Sequence, residues 1–173
     1  MWIIFNFFWQ ICIFRASPED IPSSRVLTLA LLLGYILLSL LALFIIKSEI
    51  TLFNGLTAIA IEILMEASLL YCLLHFKSVQ ARFFSTFSAL LATNFLLTAI
   101  ILPLNILLIN MSEGLMVDIL EVISIAIFFW WLSVVGYILN KSSNVSMMQG
   151  VLLAFSIELL IVIFVKSLIP DFY

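Results

Sequence analysis

Residues 50–74 read ITLFNGLTAIAIEILMEASLLYCLL. At about 1.5 Å per residue a helix of this length reaches about 37 Å, more than the ~30 Å hydrocarbon core of a bilayer. Its only charged side chains are Glu62 and Glu66, flanked on both sides by Ala, Ile, Leu and Met. A run this long and apolar predicts a membrane-spanning helix, and the two acids inside it need an explanation. Ionisable groups within a span are rare and commonly face the interior of the bundle.

Four further runs have the same character: Val26–Ile46, Phe83–Ile109, Leu115–Leu139 and Met147–Leu168. The whole composition agrees. The 173 residues are 65% apolar and 10% charged, against about 45–50% and about 25% in soluble domains. The reading is an all-α polytopic membrane protein, with five transmembrane helices in residues 26–168 and a short N-terminal interfacial helix. The longest polar connection is the linker of residues 15–25, so a separate soluble catalytic domain is excluded. The bilayer itself is the first expected partner.

Residues 1–14, MWIIFNFFWQICIF, are apolar but too short to cross unaided, and Arg15 follows them rather than preceding them. A cleaved secretory signal is therefore not expected. With Trp2 and Trp9 in it, the segment reads as an interfacial or re-entrant helix near the headgroups. In the linker, Pro18 suits the first turn after Ser17, and Ser23 or Ser24 is placed to cap the following span. Residues 169–173 form a short tail. Alternating the five spans puts Arg15, Arg25, Lys77, Arg82 and Lys141 on one side and Lys47 and Lys166 on the other. The excess predicts a cytoplasmic N-terminus and a C-terminus on the opposite side.

Counting from the middle of each span places Glu62, Asn94 and Glu158 near the centres of the second, third and fifth. Glu66 lies one turn from Glu62 on the same helix face. Two neighbouring carboxylates in a low-dielectric setting do not both ionise cheaply, so a proton, a cation or water must compensate. Glu62, Glu66, Asn94 and Glu158 are thus a candidate polar or proton site. The competing expectation is that these groups are interhelical glue worth only about 0.6–2 kcal/mol each. A second, peripheral set is Asp118, Glu121 and Lys166, expected to form a structural ion pair across the hairpin of the fourth and fifth spans.

Other features point to packing. Pro103 is expected to kink the third span, and Gly34 and Gly136 to allow close helix approach. The aromatic run Phe128, Phe129, Trp130, Trp131 is expected to contact lipid and pack. Cys12, Cys72 and His75 lack the clustering of a disulfide framework or metal site. No metal or cofactor is expected. The net charge of −3 and the scattered Lys and Arg residues argue against nucleic acid as a partner. No zinc-protease, serine-elbow or phosphate-loop motif is present.

The stretch IFFWWLSVVGYILNKSSNVSMMQGVLLAFSIELLIVIFVK, residues 127–166, carries a tryptophan in the fourth helix, a Val-Ser-x-x-x-Gly step and an apolar fifth helix. Together with SPEDIPSS before the first span, it resembles the Yip1-like family of small five-helix membrane proteins. The resemblance implies a bacterial inner (plasma) membrane location, no catalytic residues, and a role in organising membrane or binding other membrane proteins, including further copies of itself. A non-enzymatic scaffold is therefore the first expectation. A proton- or cation-coupled transport component using the midplane carboxylates is the alternative.

Overall fold

The computed structural model describes residues 2–46, 51–111 and 113–169, leaving Lys47, Ile50 and nearly all of the C-terminal tail outside the described residues. Six α-helices follow one another: α1 (Trp2–Cys12), α2 (Arg25–Ile46), α3 (Leu52–Phe76), α4 (Phe83–Asn110), α5 (Leu115–Ser143) and α6 (Met147–Leu168). No strand occurs among the described residues. The five long helices are each long and apolar enough to cross a membrane. The protein is an all-α membrane protein.

The central element is α4. From Ser85 to Asn94 every side chain is buried, and most are small or bear a hydroxyl. Small side chains let neighbouring backbones approach where helices have no water-driven force to pack them. The hydroxyls are satisfied nearby. Ser85 and Thr86 donate back to the Arg82 carbonyl, and Ser88 shares a 2.7 Å hydrogen bond with Thr28 of α2. The helix continues through Pro103 to Asn110 without interruption, and beyond Leu97 none of its side chains is buried.

The ends meeting the linker are tied together by Arg82. Its guanidinium pairs with Glu19 and also donates to the carbonyls of Lys141 and Ser142 at the end of α5, each at 3.3 Å. A cation there satisfies the orphan carbonyls of a helix C-terminus and complements its dipole. The caps follow the sequence reading. Ser17 caps the short 3₁₀ turn Pro18–Asp20, and Ser24 accepts from the Leu27 amide at the start of α2. Between α5 and α6, Asn144 adopts the left-handed conformation, and Ser146 with Gln149 forms a reciprocal capping box.

The α5–α6 crossing is a glycine contact. A Cβ on Gly150 would strike the carbonyl oxygen of Gly136, and one on Gly136 would strike the backbone of Val151. Gly34, by contrast, faces the Phe95 ring at ordinary contact distance, so α2 packs closely on α4 without needing a glycine at that point. From this crossing α6 leans away from α5 onto α3, where Ala58, Ile161, Val165 and Ile169 form a small core of their own.

That course corrects the expected ion pair. Asp118, Glu121 and Lys166 are all exposed, and the one salt bridge among the described residues is Arg82–Glu19. Helices that cross near one end diverge toward the other, and these three side chains lie at the divergent end.

Helix α1 packs into the bundle. Phe8, Ile11 and Cys12 are spaced i, i+3, i+4, which puts them on one face, and all three are buried. The Cys12 Sγ lies 4.0 Å from the Thr93 hydroxyl, and Trp130 donates its indole N–H to the Cys12 carbonyl at 3.1 Å. Thr93 stands ten residues into α4, about 15 Å along its axis. The C-terminal end of α1 is therefore inserted against α4 and α5 well inside the bundle. Trp130, part of the aromatic run expected to contact lipid and pack, is one of its anchors.

Two outcomes test this packing. Gly136→Ala or Gly150→Ala should lower stability by about 1–3 kcal/mol, as overpacking does, while Gly34→Ala should change it little; thermal unfolding in detergent followed by size-exclusion reads the difference. Cys12 is fully buried between α1 and α4. In a Cys72→Ser background, maleimide at neutral pH should leave Cys12 unlabelled in the folded protein and label it once denaturant unfolds the chain. Rapid labelling of the folded protein would mean that α1 is not docked.

Candidate functional site

The apolar character of α3 and α6 extends around their whole circumference, so nothing in their periodicity aims Glu62, Glu66 or Glu158. The neighbours do. Tyr35, Glu66, Asn94, Trp131 and Glu158 stand ten to twelve residues from the linker-side ends of α2, α3, α4, α5 and α6. At 1.5 Å per residue they share one layer about 15–18 Å deep, with Glu62 one turn further along α3.

In that layer the side chains converge on a cavity of about 230 Å³. It lies where the bundle forks. Beyond it, α4 and α5 carry Leu120 as their only buried residue among those described, while α3 and α6 pack on each other. All four residues of the expected midplane site, Glu62, Glu66, Asn94 and Glu158, line this cavity. Leu, Ile, Val and Ala form most of the remaining wall, together with Phe128 and the rings of Tyr35 and Trp131.

The hydrogen bonds have a fixed polarity. An indole N–H can only donate, and Trp131 donates to the Asn94 carbonyl oxygen at 2.9 Å. That bond orients the amide, so the Asn94 NH₂ must point the other way. It donates to both oxygens of Glu66, at 3.3 and 3.4 Å. On the opposite wall the Tyr35 hydroxyl donates to Glu62 Oε1 at 2.5 Å. Glu158 has no hydrogen-bond or ion-pair partner among the described residues. Three carboxyl groups thus face one small space, two held from outside by dedicated donors and one left open.

Tyr35 and Trp131 escape a reading of the sequence alone. Tyr and Trp of membrane proteins concentrate at the two interfaces, whereas these two stand at mid-depth, and that displacement is the signal the sequence offers. Phe129 of the same aromatic run does face outward, as expected. Among the described residues, no group of three or more His, Cys, Asp and Glu side chains is placed to hold a metal ion. Cys12 and Cys72 lie away from the cavity, and His75 meets Gln80 near the end of α3.

No family model matches the chain, and neither a curated protein nor a solved structure does.

The Trp131–Asn94–Glu66 chain is testable by a double-mutant cycle. Trp131→Phe and Asn94→Leu should each destabilise the protein, and their combination should cost less than the sum, with a coupling of about 0.6–2 kcal/mol. Additive losses in detergent unfolding would show that the two side chains act independently.

Proposed function

We propose that this protein is a proton- or cation-coupled transport component of a membrane, without catalytic activity, and that the forked cavity is its working site. The observation carrying this reading is the convergence of Glu62, Glu66 and Glu158 on one cavity at mid-depth. Glue requires carboxyls paired across helices. Here Glu158 is unpaired, and an intramembrane carboxyl left open to a cavity suits a group that takes up and releases positive charge. Tyr35 and Asn94 hold the other two carboxyls in place through bonds that a visiting proton or cation need not break. The Lys/Arg count supports placing the linker end, which carries Arg15, Arg25, Lys77, Arg82 and Lys141, on the cytoplasmic side, and the Yip1-like resemblance implies a bacterial inner membrane.

The second reading is the partner-binding scaffold that the Yip1-like resemblance implies. It predicts no flux, and effects of the acids on stability alone.

In proteoliposomes, the wild-type protein should carry a pH-gradient-dependent flux reported by an internal pH dye. Glu62→Gln and Glu158→Gln should abolish it while the protein still elutes as a folded, monodisperse species. A wild-type signal no greater than that of empty liposomes would remove the transport reading.

A further inference from the structure

Resting on the transport reading, we infer that the cavity binds an organic ammonium ion with a compact aromatic or branched apolar body. The volume sets the size. An engineered cavity of about 150 Å³ in another protein accepts benzene, so 230 Å³ admits a benzene-sized ring with a short chain. It far exceeds what a single bare ion would fill.

The hydrogen-bond polarity sets the charge. The donors of Tyr35, Asn94 and Trp131 are already engaged with wall groups. Thr98 adds one hydroxyl, and among the described residues no Lys, Arg or His lines the cavity. What the wall still offers is acceptor capacity, on three carboxyl groups that each have room for several donors. An ammonium group brings up to three donors and one positive charge. It lets a carboxyl ionise where an empty cavity would penalise the charge. An anion brings no compensating charge, and would meet like charge at any of the three acids that ionises.

The apolar wall sets the body of the ligand. Apart from these polar groups the lining is aliphatic and aromatic, and Phe128 and Trp131 stack on each other with ring centroids 5.9 Å apart. Aromatic faces favour a cation alongside them and an apolar ring against them. The unpaired Glu158 is the natural counter-ion, since binding there breaks no existing hydrogen bond.

Purified protein in detergent micelles, titrated calorimetrically with 2-phenylethylammonium chloride, tests the inference, with 2-phenylethanol and phenylacetate as matched neutral and anionic probes. Saturable binding of the ammonium, about tenfold or more tighter than the alcohol and absent for phenylacetate, is the expected result. Glu158→Gln should weaken it about tenfold or more, and Ile101→Phe, which fills the cavity without altering charge, should weaken it as well. Should Glu158→Gln not fold, Ile101→Phe carries the test.

Equal affinity for ammonium and alcohol, binding of phenylacetate, or ammonium affinity unchanged in the folded variants would overturn the inference. The proteoliposome flux separates the two claims. Flux without ammonium binding removes this ligand class and leaves transport standing, whereas ammonium binding without flux removes transport and leaves the site.

Discussion

A side-chain amide at mid-depth in an apolar bundle must find partners inside the bundle, because lipid supplies none. Asn94 meets that constraint by accepting from Trp131 and donating to Glu66, and so joins α5, α4 and α3 at one depth. It ends a buried series on α4, Ser85 to Asn94, whose small and hydroxyl-bearing side chains let α2, α5 and the inserted α1 pack closely on one helix. At the linker end of the same helix, Arg82 gathers Glu19 and the terminal carbonyls of α5. Take α4 away and no other element touches all of these partners.

The fork follows from where that series stops. Past Leu97 the helix has no buried side chain, and the α4–α5 hairpin stands apart from the α3–α6 pair. The Gly136–Gly150 crossing directs this separation, since it brings α5 and α6 closest near their shared loop and lets α6 lean toward α3. Packing alone would leave an apolar gap at the branch point. Glu62, Glu66 and Glu158 make it a polar one, and the donors around it hold two of the three acids without filling it. Fold and candidate chemistry thus have a common origin in the two helix contacts that end at the same layer.

Much of this is legible in the sequence because membrane thickness is a ruler. Length and apolarity place five spans, and depth counting along those spans is enough to put Glu62, Glu66, Asn94 and Glu158 in one stratum. Rotation about each helix axis is not legible, since helices apolar on every side carry no stripe to aim them. That is why Tyr35 and Trp131 are marked in the sequence only by their unusual depth and not as cavity groups, and why the aromatic run does not tell which of its rings pack and which meet lipid, although Trp130 anchors Cys12. The pairing of Lys166 with Asp118 or Glu121 fails for a different reason. It requires the two helices of a hairpin to stay adjacent along their length, and the glycine crossing makes them diverge. The docking of α1 has a signal in the Phe8, Ile11, Cys12 spacing. An interfacial helix shares that spacing, so the pattern does not say which surface covers it.

The central claim is that three carboxyls on two helices share one cavity. Mass spectrometry after treatment of the folded protein with a bulky hydrophobic carbodiimide addresses it directly, because one dicyclohexyl adduct occupies most of the available space. The account predicts at most one adduct per chain among Glu62, Glu66 and Glu158, whatever the exposed acids carry, with each molecule modified at one of the three protected at the other two. Folded chains carrying adducts on two or all three of Glu62, Glu66 and Glu158 would show that these acids face separate surfaces, and would contradict it.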